Sequence, residues 1–213
     1  MPRCLHCKDK FQPRKFLWKY CDKEACNDIG VAELVRKTRE KQKRDKAKAW
    51  KKEKAEIKKD IETLPEAKNK LQKVVNKIAR LIDKDVPCMM CGTPSYSRKN
   101  GCHYHSVGSN GAIRFNLHNI AIGCHSCNEE RGGNIHGYDE RLIEVFGREH
   151  WEYVKFDLVK LYPYLGISKQ EVHETRLEAL KIVKELEKAN LTYPPKMRLK
   201  LRTEINKRLN IYK

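Results

Sequence analysis

Behind Leu64-Pro65-Glu66, where a proline suits the first turn of a helix, apolar residues return at helical spacing: Leu71, Val74, Val75, Ile78, Leu81 and Ile82. The pattern predicts an amphipathic helix whose apolar face packs on a central module. Leu142, Ile143, Val145 and Phe146, then Leu177, Leu180, Ile182, Val183 and Leu186, repeat it, so about three further helices are expected between Asp139 and Lys188. Met197, Leu201, Ile205 and Leu209 recur every fourth residue and predict a terminal basic helix, suited to DNA or to packing. Between Cys91 and Cys124 the helical period fails. Gly92, Asn100, Gly101, Gly108, Asn110 and Gly111 punctuate short runs, which predicts strands and turns, a hairpin fitting best. A short helix should follow Cys127 and break near Gly132-Gly133.

One stretch has almost no apolar pattern. From Arg36 to Asp60, 13 Lys or Arg stand against five acids, with Ala47, Ala49, Trp50, Ala55 and Ile57 as the apolar exceptions. Helix propensity is high and packing capacity low, which fits a solvated helix or linker, an arm that tracks phosphates through Lys43, Arg44, Lys51 and Lys52, or both at once. The chain therefore divides into an N-terminal cysteine knuckle (1–30), a Lys-rich helical arm or linker (31–63), a helix plus central module (64–138) and a helical C-terminal region with a basic last helix (139–213).

Charge narrows the partners. Forty-six Lys and Arg against 28 Asp and Glu leave +18, and an apolar share of 39% is modest, so an extended polyanion, nucleic acid, is the default partner. No apolar run approaches the ~20 residues of a spanning helix, and the N-terminus lacks a signal-peptide core, so no membrane association is expected.

The nine cysteines carry the chemistry. Cys4, Cys7, Cys21 and Cys26 form one set and Cys88, Cys91, Cys124 and Cys127 another, and three of the four pairs are CxxC. Four soft thiolates per set match tetrahedral structural zinc in a reducing compartment better than secreted disulfides, so two Zn²⁺ ions and a cytoplasmic location are expected. His6 lies inside the first knuckle and is not expected to be a ligand. The first module is too short to bury a core, so metal would supply most of its folding free energy.

The second set brackets His103, His105 and Asn119 and is followed at once by Asn128. The order His, Asn, Asn within a zinc staple resembles the HNH nuclease signature. It implies an α+β fold: a small zinc-stabilised ββα-metal core embedded among helices, beside the N-terminal zinc knuckle. In that picture His103 is the general base, its ring oriented by a backbone carbonyl; Asn128 coordinates Mg²⁺ or Mn²⁺; and Asn119 hydrogen-bonds across the loop to hold the His strand. Arg114 and Arg131, with Arg198 and Arg202 of the last helix, are candidate phosphate contacts. Cys102 stands where many such enzymes carry an Asp or His ligand. Either Asn128, phosphate oxygens and water hold the cation, which is favoured, or His105 adds a second ligand. Cys102 itself reads as a small buried thiol, and His118, His125 and His136 as bystanders.

A closer resemblance rests on Val86-Pro-Cys-x-x-Cys-Gly92, Cys102-His-Tyr104, Arg114-Phe-Asn-x-x-Asn-Ile120, Cys124-x-x-Cys-Asn128 and Gly133-Asn134. These strings, and the order of modules, resemble the NinG/Rap recombination proteins of lambdoid bacteriophages, most specifically from Leu64 to Tyr138. The resemblance implies a structure-directed endonuclease acting on Holliday junctions and D-loops in the host cytoplasm. A two-fold junction would suit a homodimer, although no heptad seam of useful length marks one. The competing class is a non-catalytic zinc-binding adaptor that recruits recombination enzymes to DNA. A site-specific homing or restriction nuclease would need a base-reading element such as a helix-turn-helix, and none is recognisable.

Overall fold

The capping chemistry at Thr63 explains why a helix starts there. The Thr63 hydroxyl accepts from the Glu66 backbone N–H at 3.4 Å, and the Glu66 carboxylate accepts from the Thr63 backbone N–H at 2.8 Å, with Pro65 in the first turn. In the computed structural model, which describes residues 1–94 and 97–212, contacts divide the chain into two compact units, Met1–Glu62 and Thr63–Lys213.

The first unit has a small cysteine core. Cys4, Cys21 and Cys26 are buried with Phe11 and Tyr20. A single 38-residue helix, α1 (Glu24–Ile61), begins inside that knuckle with Cys26 in its first turn. Trp18 packs so closely on Gly30 of α1 that an added Cβ would lie 2.7 Å from its ring. From Leu34 to Ile61 every residue whose side chain is described is exposed, so helix propensity and neighbouring ion pairs such as Arg36–Glu40, at 3.9 Å, hold this part of α1.

In the second unit, α2 (Leu64–Ile82) leads to a two-stranded antiparallel sheet, β1 (Lys99–His103) and β2 (Ile120–Cys124). The register sets Lys99 opposite Cys124 and His103 opposite Ile120. The link between the strands is long, with short helical turns at Gly111–Ile113 and Leu117–Asn119. After β2 come a π-helical turn (Ser126–Glu130), α3 (Ile135–Phe146), α4 (Arg148–Glu152), a second π-helical turn (Tyr153–Asp157) and α5 (Leu158–Leu161). The chain closes with α6 (Lys169–Ala189) and α7 (Pro195–Leu209). Gly132 and Gly133, at φ +59° and +92°, take the positive-φ turn that separates Cys127 from α3. The architecture is thus helix-rich with one small sheet.

Two apolar cores share this unit. Leu71, Val75 and Ile78 of α2 pack with Val172, Ala179 and Ile182 of α6, Ile205 of α7, and Phe115, Leu117 and Ile120. Cys88, Cys102, Cys124 and Cys127 lie with Met89, Met90, Ile122, Tyr138, Leu142 and Val154 in the other. The β1 strand packs tightly on α2: a Cβ on Gly101 would lie 2.8 Å from the Asn76 Cβ and 2.9 Å from its carbonyl oxygen.

Between the cores lies a buried ionic junction, and it corrects one expectation. Arg198 and Arg202, read from the sequence as DNA contacts, are 4% and 2% exposed. Both bind Asp83, which is 0% exposed: Arg202 Nη2 at 2.6 Å and Arg198 Nη1 at 3.3 Å. Asp83 also accepts from the Ile122 backbone N–H at 3.1 Å, and Arg202 Nε donates to the Leu117 carbonyl at 3.1 Å. Each guanidinium also lies over the Phe146 ring, at 4.9 Å and 5.8 Å. These two arginines of α7 therefore turn inward, tying α2, β2 and α3 together, while Lys196, Lys200, Lys207 and Arg208 of the same helix stay exposed. Removing one partner of a buried pair leaves an uncompensated charge, which costs about 3–5 kcal/mol. Asp83→Ala should lose about that much in urea unfolding at pH 7. A midpoint within experimental error of wild type would show that water reaches the guanidinium groups.

Candidate metal and histidine site

The cysteines converge as the spacing predicts. In each set the four sulfur atoms lie within 4.8 Å of one another. Tetrahedral zinc with Zn–S bonds of about 2.3 Å requires S···S separations near ~3.8 Å, whereas a disulfide needs about 2.05 Å. Cys7 and Cys21 stand at 3.6 Å, and Cys91 and Cys124 at 3.9 Å. Both clusters therefore have the donors and spacing for a zinc ion. Backbone N–H groups support the sulfurs, from Cys21 to Cys4 at 3.3 Å and from Cys124 to Cys88 at 3.2 Å. The Asn134 side-chain amide, 3.8 Å from Cys127 Sγ, adds a contact while donating to the Met90 carbonyl at 2.7 Å. His6 stands outside the tetrahedron, its Nδ1 3.3 Å from Cys26 Sγ. Cys102 is buried outside the second cluster, and burial, with the charge of Cys88 and Cys124, pushes its thiol up to about 12.

His103 ends β1. Its Nε2 donates to the Arg114 carbonyl at 2.9 Å, which assigns the ring proton to that nitrogen and leaves Nδ1 with its lone pair. Burial holds the imidazole below its ordinary value, against the raising effect of that hydrogen bond and with help from the Arg114 charge. The ring is therefore neutral at pH 7. Asn119, wholly buried, clamps the segment after β1: Oδ1 accepts from the His105 backbone N–H at 2.8 Å and Nδ2 donates to the His105 carbonyl at 3.1 Å. The Tyr104 backbone N–H donates to the Asn119 carbonyl at 2.8 Å, extending the ladder by one bond. These contacts join His103, His105, Asn119 and Arg114 in one place.

The other candidates have different surroundings. His105 Nε2 donates to the Val154 carbonyl at 2.9 Å, and the ring belongs to neither cluster of potential metal ligands found among the described residues. Arg114 is held by α2, donating to Gln72 Oε1 at 3.1 Å and Asn69 Oδ1 at 3.0 Å. Asn128 is half-buried in the turn after β2, and its side chain makes no hydrogen bond among the described residues, so its oxygen is unspent. Arg131 is exposed and, with Arg98, His125 and Cys91, lines an open cleft of about 480 Å³ beside the second cysteine cluster. Lys43, Arg44, Lys51 and Lys52 are exposed on α1.

Two features escaped the sequence pattern. Asp139 on α3 accepts from the Tyr104 hydroxyl, from Trp151 Nε1 at 2.5 Å and from Lys155 Nζ at 3.1 Å, fixing the segment beside His103 to the following helices. His118, adjacent to Asn119, packs against His150 with ring centroids 5.4 Å apart and planes tilted by 60°, and bonds Thr203 Oγ1 at 3.1 Å. Burial, then the charges of His150 and Arg202, holds His118 down to about 3, and burial with Arg202 holds His150 down to about 4. Below the ordinary histidine value of about 6.5 the unfolded chain thus takes up protons that the folded one refuses. Stability should fall as pH drops from about 6.5 toward 4, and His118→Gln/His150→Gln should flatten that loss in urea titrations at pH 7 and 5. Equal slopes in both proteins would assign the loss elsewhere.

With this geometry in view, the comparisons are specific. The family model described as Bacteriophage Lambda NinG protein matches residues 1–190, and the chain belongs to the NinG family. Protein ninG of Escherichia phage 933W is 31% identical over 157 residues, covering 69% of this chain and 76% of that protein. Protein ninG of Escherichia phage lambda is 36% identical over 78 residues, 37% of this chain and 38% of its own. No solved structure matches. Among the described residues, no helix is long and apolar enough to cross a membrane.

Proposed function

We propose that this chain is a structure-directed DNA endonuclease of phage recombination, hydrolysing phosphodiester bonds in branched intermediates such as Holliday junctions and D-loops. The observation that carries the reading is His103: a neutral imidazole, pinned through Nε2 to the Arg114 carbonyl, with Nδ1 left to accept a proton. Phosphodiester hydrolysis needs a base for water, positive charge for the phosphorane and help for the leaving oxygen. His103 would take the proton from water. Asn119 keeps the backbone after β1 in place, and Asp139 holds the neighbouring Tyr104. Asn128 offers the hard oxygen that suits Mg²⁺ or Mn²⁺, with phosphate oxygens and water completing the set. Such a cation would supply charge at the scissile phosphate when bound.

In this reading zinc in both cysteine clusters is structural, the HNH-type ββα unit is the hairpin with its following turn, and exposed Lys and Arg of α1 with Arg131 hold the DNA backbone. Phosphate contacts position without reading bases, so selectivity would come from DNA shape. The test is cleavage of labelled Holliday junction, D-loop and linear duplex by zinc-loaded protein, with and without Mg²⁺ or Mn²⁺. Cutting confined to branched DNA plus divalent cation is expected. Tight binding without cutting would replace the nuclease by the recombination adaptor.

A further inference from the structure

The N-terminal knuckle carries an apolar tip that its own folding does not use. Within the Cys7–Cys21 loop, Phe11 and Tyr20 enter the cysteine core and Trp18 packs against Gly30. Phe16 and Leu17 do the opposite, at 94% and 76% exposed. A tight turn presents them: the Trp18 backbone N–H donates to the Lys15 carbonyl at 3.0 Å, and Leu17 sits at φ +65°, a conformation a leucine adopts only at a cost. The knuckle that carries the tip is basic. Residues 1–23 hold Arg3, Lys8, Lys10, Arg14, Lys15, Lys19 and Lys23 against Asp9 and Asp22. Arg14 is neutralised by Asp22 at 2.5 Å and Lys23 by Asp9 at 2.6 Å, while Lys15 and Lys19, on either side of Phe16-Leu17-Trp18, have no acidic partner among the described residues.

An exposed ring between unpaired lysines fits a nucleic acid that offers phosphates on both sides and a base face between them. Phe16 and Leu17, with Leu34 of α1 in the cleft beside Leu17, offer too little apolar surface for a protein interface, which needs about 800 Å² per partner. Wedging the ring into stacked duplex costs unstacking energy, whereas a branch point already presents unpaired or poorly stacked bases. We propose that Phe16, backed by Leu17, stacks on unpaired bases at the branch of a DNA substrate while Lys15 and Lys19 contact the flanking phosphates. The proposal rests on the branched-DNA reading above for its ligand, and adds the place where branching is recognised.

The test measures equilibrium binding of the full chain, without Mg²⁺ or Mn²⁺, to forked DNA carrying 2-aminopurine in its unpaired bases and to a blunt duplex of the same sequence. Phe16 touches no core, so Phe16→Ala should keep wild-type zinc content and thermal stability. It should weaken fork binding roughly 5- to 150-fold, abolish the fluorescence change at 2-aminopurine and leave duplex affinity unchanged, while Phe16→Trp restores both fork readouts. Wild-type fork affinity in Phe16→Ala, or equal loss on fork and duplex, overturns the proposal. Adding Mg²⁺ separates the two readings: Phe16-dependent fork binding in a protein that never cuts would retain the wedge and reject the nuclease.

Discussion

His103→Ala is expected to lower single-turnover cleavage of a branched substrate by about 10²–10⁴-fold, the usual contribution of a positioned general base. Binding and zinc content should stay unchanged. The effect should be this large because Nε2 is occupied by the Arg114 carbonyl, which leaves one nitrogen for the proton and one orientation for the ring. Burial adds a pH signature. It lowers the His103 value, and in the proposed mechanism the neutral ring is the base, so the rate should rise with pH, level off below the ordinary histidine midpoint of about 6.5 and stay flat above it. A rate that still climbs through a midpoint above 6.5, or a variant as fast as wild type, would assign the base elsewhere.

Cys124→Ser should be the most damaging single change to the fold. Cys124 is the last residue of β2, lies in the second apolar core, donates its backbone N–H to Cys88 Sγ, and accepts from the Cys127 backbone N–H through sulfur at 3.5 Å. Structural zinc contributes about 10–16 kcal/mol to the folding of small zinc modules, comparable with the 5–15 kcal/mol net stability of a whole domain. Losing a substantial fraction of that term is enough to unfold the hairpin. Zinc should fall from two ions to one per chain by metal analysis, with loss of the cooperative thermal transition of residues 63–213 and of any cutting. Because the first cluster belongs to the other compact unit, its zinc should remain. Retention of two zinc ions and an unchanged transition would mean that the second cluster does not hold metal in solution.

Much of this molecule is legible from local signals. CxxC spacing announces both clusters because chelate geometry confines two sulfurs to a few residues of chain. The apolar period of Leu71 to Ile82 marks α2, and the Gly-Gly break after Cys127 marks the turn into α3. The knuckle boundary was less legible. Cys26 is both a candidate metal donor and a residue of α1's first turn, so the knuckle and the Lys-rich helix share residues that the sequence pattern divides at position 30. The long basic run is helical because Lys, Glu and Ala favour helix even without packing, and its exposure follows from having nothing apolar to bury.

Composition determines the attraction to polyanions, the cysteine spacing determines where metal can bind, and the order of His103, Asn119 and Asn128 limits the chemistry worth testing. Which basic residues stay at the surface, free to meet a polyanion, is decided only by the tertiary structure. Arg198 and Arg202 look like surface cations on a basic helix, yet each finds Asp83 more than a hundred residues away in sequence and is buried with it. Phe16 and Phe11 are the same residue type five positions apart, and only folding sends one into the cysteine core and leaves the other in solvent. A side chain's charge or apolarity is local information. Its partner is set by long-range packing, and the partner decides whether that side chain stabilises the fold or remains free to meet a ligand.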